Sequence, residues 1–332
     1  LYRFRLTLSL PVSLRTQDKI LSIEMMYYIK KEVKTMKKNK IYIFIAVLFA
    51  AFFSACSEDD LSSESVITEA QRVENDFDRW IVKNYVTPYN IDFKYRMEDI
   101  ESDRNYNLIP ADYTKSVQLA KLVEFLCLQV YDEVTGGKQF IRDYFPKMIH
   151  LVGSPAYENN GTMVLGTAEG GLKITLYNVN NVDVLNVSAL NYFYFKTIHH
   201  EFAHILHQTR PYPTAFKEIS GREYVKDSWS SAWGSGTAAE TAALKAGFIT
   251  PYASSAVDED FVELIAVYVT NTEAYWQSRI KTAGTTGAPI INSKFEIVYN
   301  YMLDTWNIDL DILRNTVLDH QNRIGELDLD EL

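Results

Sequence analysis

His200, Glu201 and His204 form the spacing HExxH, within a ten-residue stretch that holds four of the six histidines in the chain. On a helix, positions i and i+4 lie on one face about a turn apart, so both imidazoles can bind one metal ion. A glutamate directly after the first histidine can lie beside the open coordination position and act on a water there. The pattern therefore predicts one zinc ion held by His200 and His204, with Glu201 as general base.

A zinc site needs a third protein ligand. His207 lies seven residues after His200, about 10 Å along the helix axis, which is too far for one ion. His199 points about 100° away from His200. Glu259 and Glu263 are better candidates, because they share one face of a predicted helix with apolar neighbours. One of the two can bind the metal, while the other accepts a hydrogen bond from a ligand imidazole.

The elements that must position these residues are predicted from hydrophobic periodicity. Residues 186–198 are long, apolar and aromatic, as expected of a buried helix leading into HExxH, and residues 258–270 form a second helix. Further predicted helices cover 69–82, 114–134, 139–145, 272–282, 293–305 and 310–323, and predicted strands cover 90–97, 149–157 and 163–179, the last with a hairpin at Gly170-Gly171. We expect an α+β fold with an α/β part at 66–208 and a helical part at 209–332.

In its combination of HExxH with a downstream pair of glutamates, the chain resembles the gluzincins, specifically the lethal-factor and Pro-Pro endopeptidase type. Those proteins combine HExxH with a tyrosine seven residues before a glutamate ligand and a further glutamate four residues on. Tyr252, Glu259 and Glu263 reproduce that spacing. The resemblance implies that Glu259 is the third zinc ligand, that Glu263 supports a ligand imidazole, and that Tyr252 donates to the developing oxyanion. Asp260 and Glu263 remain rival ligands.

The chain beyond residue 56 also resembles the Bacteroidetes zinc metallohydrolase lipoproteins that are linked to outer-membrane nutrient import. The similarity lies in a lipobox, in HEFAHILHQ, and in the segment from Gly247 to Phe261. It implies a zincin-like fold, in which a small mixed sheet lies beside the HExxH helix and a mostly helical C-terminal half follows. In such peptidases a strand before the metal helix borders the cleft and pairs with extended substrate, so we expect residues 173–177 to be an edge strand.

The sequence before residue 66 reads as a leader and a tether. Three lysines after Met36 precede the apolar run Ile41 to Phe53, and Phe53-Ser54-Ala55-Cys56 resembles a bacterial lipobox. We expect residues 1–35 to be an over-extended gene prediction, residues 36–56 a lipoprotein signal peptide, and residues 57–65 a flexible tether. Cys56 would then be lipidated, and the protein would be an outer-membrane lipoprotein exposed at the cell surface.

Charge restricts the partners. Residues 57–332 carry 23 basic and 40 acidic residues, a net charge of −17, which disfavours nucleic acid and electrostatic binding to anionic lipid. The predicted partners are a peptide or protein substrate, the membrane through the N-terminal lipid alone, and outer-membrane nutrient-import proteins. Cys127 lies in an apolar helical run and is predicted to be a buried thiol without a disulfide partner.

These features predict a surface-anchored zinc metallopeptidase that uses a zinc-activated water and a glutamate base. Two alternatives stay open at this stage. One is a non-catalytic, zinc-stabilised binding component of an import system, which Glu201 disfavours because such a component needs no general base. The other is a zinc hydrolase that acts on a non-peptide amide.

Overall fold

The computed structural model describes residues 25–26, 74–98, 100–158, 161–164, 166–169 and 171–332. The predicted signal peptide, the tether and the lipidation site Cys56 lie outside the described residues. The described residues between 74 and 332 form one compact unit.

The described elements are a mixture of helices and short strands up to residue 176 and are helical after it. In chain order the strands and the α-helices of four or more residues are α1 (Asp76–Ile81), β1 (Asp92–Lys94), α2 (Tyr113–Val123), α3 (Gln129–Thr135), α4 (Gln139–Tyr144), β2 (Met148–Leu151), β3 (Ala156–Tyr157), β4 (Met163–Val164), β5 (Gly166–Glu169), β6 (Lys173–Leu176), α5 (Val187–Leu190), α6 (Lys196–Thr209), α7 (Ala215–Ser220), α8 (Trp229–Ala232), α9 (Gly236–Lys245), α10 (Val257–Thr270), α11 (Glu273–Trp306) and α12 (Leu310–Asn322). The predicted mixture of α and β followed by a helical C-terminal half is therefore confirmed.

A four-stranded mixed sheet has the order β1-β2-β6-β5. The strands β1, β2 and β6 are parallel, whereas β5 runs antiparallel to β6. The prediction that residues 173–177 form the edge was wrong, because β6 hydrogen-bonds to β2 on one side and to β5 on the other. The edge next to β6 is instead the antiparallel strand β5.

The sheet presents an apolar face to the helices. Phe93, Ile149 and Ile174 are register partners on β1, β2 and β6, so they lie on the same face of the sheet, and all three are buried in the main core. The strand β5 passes close to α6: a Cβ added at Gly166 would lie 2.5 Å from the side-chain methyl of Thr197. Glycine therefore lets this edge of the sheet approach the helix that carries HExxH.

In the described part of the chain, three helical segments widen by one residue per turn into π-helix, at Val82–Val86, Glu124–Leu128 and Asn191–Phe195. The last of these leads directly into α6. The second lies within the predicted helix 114–134 and includes Cys127, which is fully buried and free, as predicted. Burial raises the pKa of the Cys127 thiol, so it is an inert core group.

The two predicted helices at 272–282 and 293–305 are parts of one longer helical run, α11. It is broken at Gly284, whose φ of 67° and ψ of −160° are not helical. Pro289 lies inside the second arm, five residues after this break, and it has no N–H to donate to the carbonyl of Thr285 four residues before it. Gly287 lets the second arm touch α9, since a Cβ there would meet the Leu244 carbonyl oxygen at 1.9 Å.

No helix among the described residues combines the length and the apolarity needed to cross a membrane.

Candidate metal centre

The helices α6 and α10 pack against each other and supply the chemical groups of the site. On α6, His200 and His204 follow one another on the face that meets α10, and their ring centroids are 4.9 Å apart. On α10, Glu259 lies in the first turn and Glu263 one turn later. Each helix therefore contributes an i, i+4 pair, and the two pairs face each other.

Three donor atoms converge. Oε2 of Glu259 lies 3.0 Å from Nε2 of His200 and 3.2 Å from Nε2 of His204. One ligand atom from each of these residues lies within 4.8 Å of the other two, a spacing that can hold a single ion. Two imidazole nitrogens and one carboxylate oxygen are the donor set of many catalytic zinc sites, so the chemistry of the residues fits zinc.

Glu263 contacts the back of the first histidine rather than the donor cluster. Its Oε1 lies 2.9 Å from Nδ1 of His200. It also accepts two hydrogen bonds from Lys196 Nζ, at 2.8 and 3.0 Å, and one from Thr250 Oγ1 at 2.6 Å. The carboxylate is 1% exposed, and these donors compensate its burial. Such a carboxylate fixes the proton of His200 on Nδ1 and leaves Nε2 for the metal.

The second histidine has a different partner. Nδ1 of His204 lies 3.0 Å from Nε2 of His207, which packs edge-on against Tyr212 and Phe261. Burial, followed by the nearby charge of His204, lowers the pKa of His207 to about 4, so its ring is neutral near pH 7. The neutral ring of His207 can therefore accept, at Nε2, a hydrogen bond that the Nδ1–H group of His204 donates. His207 is thus beside a donor residue without being one of the three.

Charges in the site shift several pKa values. Burial favours neutral His200, but hydrogen bonds to Glu259 and Glu263 outweigh it and raise the pKa of His200 to about 9. Burial alone would raise the pKa of Glu259, yet its bonds to His200 and His204 lower it. Burial raises the pKa of Glu201, partly offset by the two histidines. A carboxylate with a raised pKa is better suited to accept a proton and pass it on.

Tyr252 lies at the same site, in the 3₁₀ turn Tyr252–Ser254 just before α10. Its ring centroid is 5.8 Å from that of His200, and Trp229 packs edge-on against its ring at 5.0 Å. Burial, reinforced by the charges of Glu259, Glu263 and Glu201, raises the pKa of Tyr252, so its hydroxyl stays protonated and can donate.

The structure places the rival ligand Asp260 away from the donor cluster. Its Oδ2 lies 2.6 Å from Nζ of Lys294 and accepts a hydrogen bond from Tyr224 at 2.9 Å. Both Asp260 and Lys294 are fully buried, and Lys294 also donates to the Gly247 carbonyl at 2.8 Å. This pair attaches α11 to α10 and to the start of the loop that carries Tyr252.

His199 is also separate from the cluster. It is fully buried, and its Nδ1 lies 3.1 Å from the hydroxyl of Tyr131. Burial lowers the pKa of His199 to about 4. It is therefore a neutral core histidine on the opposite side of α6.

Sequence reasoning missed Lys196, Thr250 and Lys294, and gave His207 no role. A signal existed for Lys196, because it lies four residues before His200 and so shares its helical face. No spacing pattern marks Thr250 or Lys294. They are brought to the site by a loop and by a distant helix.

The comparisons with known proteins agree with this donor chemistry. A family model described as "Putative zinc-binding metallo-peptidase" matches residues 69–311, a range that includes both α6 and α10. A solved protein from Bacteroides caccae, described as "a putative zinc-binding metallo-peptidase", has 48% sequence identity and a TM-score of 0.67. The similarity covers 77% of this chain and 95% of the solved one. No curated protein matches the chain.

Proposed function

Because the chain belongs to this family of zinc-binding metallo-peptidases, we propose that it hydrolyses peptide bonds at the site built from His200, Glu201, His204 and Glu259. The observation that carries the proposal is the convergence of three donor atoms beside the half-buried Glu201, which is not itself a donor. A module that only bound zinc or a ligand would have no use for such a glutamate.

Different residues of the site have separate roles in the proposed hydrolysis. A bound zinc ion would lower the pKa of a water toward neutrality and polarise the substrate carbonyl. Glu201 accepts a proton from the attacking water and passes it to the leaving amine. The hydroxyl of Tyr252 donates a hydrogen bond to the oxygen of the scissile carbonyl as negative charge develops there. Glu263 and His207 keep the ligand imidazoles in the required tautomers.

The outer side of β5 is a sheet edge to which an extended substrate could bind. The strand β5 runs antiparallel to β6, and no other described strand pairs with its outer side. Its start lies against Thr197 of α6, three residues before His200. We propose that the backbone of β5 hydrogen-bonds to the peptide, a mode of recognition that tolerates many substrate sequences.

Cleavage of a diverse peptide mixture, followed by mass spectrometry, tests the proposal. The zinc-loaded protein should generate new termini, and Glu201→Gln should retain one equivalent of zinc while losing turnover by about 10²–10⁴-fold. Full activity in Glu201→Gln would refute the assigned base. Zinc bound without any cleavage would favour a capture role, and cleavage only of non-peptide amides would favour the other alternative.

We also propose that the protein is anchored at the outer membrane through a lipid on Cys56, near import proteins. The support is the apolar run that ends in Phe53-Ser54-Ala55-Cys56. Incorporation of labelled palmitate in the native host should occur in the wild type and be absent in Cys56→Ala. Labelling of both proteins, or of neither, would contradict the anchor.

A further inference from the structure

The hydroxyl of Thr250 lies between the metal centre and the turn that carries Tyr252. Its Oγ1 donates to Oε2 of Glu263 at 2.6 Å. The same oxygen accepts a hydrogen bond from the backbone N–H of Ala253 at 3.1 Å. A hydroxyl has one donor and two acceptor positions, so both bonds can be made at once. Because the hydroxyl hydrogen of Thr250 points at Glu263, the lone pairs of Oγ1 point away from Glu263. One of these lone pairs accepts the hydrogen bond from Ala253.

Each end of this connection leads to a group with a chemical role. On one side, Glu263 holds Nδ1 of His200 at 2.9 Å and so orients a donor nitrogen. On the other side, Ala253 follows Tyr252 directly, within the single turn Tyr252–Ser254. The path from imidazole to phenol therefore contains one carboxylate, one hydroxyl and one backbone amide. It is short and buried at the carboxylate end.

We propose that Thr250 is a positioning residue that couples the orientation of His200 to the placement of Tyr252. This inference rests on the proposed function, since it gives Tyr252 a task in the reaction. In this arrangement, ordering of Glu263 by the metal-binding histidine also orders the turn that presents the phenol. Binding of the ion and preparation of the oxyanion donor are then linked events rather than separate ones.

The loop has other attachments, so loss of this hydroxyl need not unfold it. The Gly247 carbonyl accepts a hydrogen bond from Lys294 at 2.8 Å. At the far end, Ser254 accepts from Trp233 Nε1 at 2.8 Å, and its carbonyl accepts from the backbone of Val225, also at 2.8 Å. A purely structural role would predict a general loss of stability. Coupling predicts changes confined to the zinc site and to the turn.

Thr250→Val and Thr250→Ser form the test pair, because valine keeps the shape and removes the hydroxyl, whereas serine keeps the hydroxyl. Two readouts are independent of activity: zinc affinity by chelator competition, and hydrogen exchange of the Ala253 amide with and without zinc. In Thr250→Val we expect zinc to bind about tenfold more weakly. The Ala253 amide should exchange about fivefold faster and no longer respond to zinc. Thr250→Ser should remain within about twofold of wild type.

Thermal unfolding of the metal-free variants separates positioning from general destabilisation. If Thr250→Val is not folded, Thr250→Ala serves as the hydroxyl-free variant. Wild-type zinc affinity and exchange in the hydroxyl-free variant would overturn the coupling, as would equal losses in Thr250→Ser. If the coupling is observed but no variant and no wild-type protein cleaves peptides, the proposed function fails while the link between His200 and the turn stands.

Discussion

The stability of the metal-free protein should fall as the pH rises from 7 to 9, because His200 loses a proton that the fold favours. Burial opposes the charged ring, but hydrogen bonds to Glu259 and Glu263 raise the pKa of His200 from its ordinary 6.5 to about 9. A raised pKa means that the contribution is fully present below pH 6.5 and is lost as the pH passes 9. The interval corresponds to about 3 kcal/mol of unfolding free energy.

Urea denaturation of the chelator-treated protein at several pH values between 6 and 9.5 measures this loss. Three neighbouring buried groups titrate below the interval from pH 7 to 9 in which the fall is expected. Burial lowers the pKa values of His199 and His207 to about 4 and raises that of Asp260 to about 6. Zinc competes with the same proton on His200. Its apparent affinity should therefore increase by about 100-fold between pH 7 and pH 9.

Glu263→Gln is the matched control, because the amide preserves the shape and removes one of the two carboxylates that favour the charged ring. The decline in stability between pH 7 and 9 should become shallower in this variant. A flat profile for the metal-free wild type, or an unchanged slope in Glu263→Gln, would refute the electrostatic account of His200.

Three further changes test separate parts of the site. Tyr252→Phe should lower kcat by about 10²–10³-fold at unchanged zinc content, measured on a peptide found by mass spectrometry; a loss confined to KM would contradict its role as oxyanion donor. His207→Phe should weaken zinc binding by about 10–100-fold in chelator competition, whereas His207→Gln, which offers an acceptor to His204, should lose less. Lys294→Met should lower the free energy of unfolding by about 3–5 kcal/mol in urea, because Asp260 becomes an unpaired buried charge, and adding Asp260→Leu should restore much of it.

The helices of the site could be predicted because helix formation depends on residues that are close together in the sequence. Apolar periodicity predicted a helix at 258–270, and the structure has Val257–Thr270. The i, i+4 spacing on both helices then limited which groups could meet. The different contacts of Glu259 and Glu263 did not follow from spacing alone. They depend on how α10 is rotated against α6, which is a property of tertiary packing.

The features that were predicted wrongly or missed depend on contacts between residues that are distant in the sequence. Whether β6 lies at an edge depends on the order of four strands, and its neighbour β2 precedes it with three short strands in between. The same limit hid Thr250, whose partner Glu263 is reached only when the loop folds back on α10. The π-helical segment Asn191–Phe195 was invisible for another reason: one extra residue in a turn leaves the apolar composition unchanged.

The ligands from α6 and α10 also have a consequence for chain entropy. His204 and Glu259 are 55 residues apart in the sequence. An ion bound to both would therefore act as a cross-link between the α/β part and the helical part of the chain. By the entropy model used for disulfides, a closed loop of this length is worth about 4 kcal/mol. Cys127, the one cysteine among the described residues, is buried and free. The metal would thus stabilise this part of the chain in the way that a disulfide stabilises many secreted proteins.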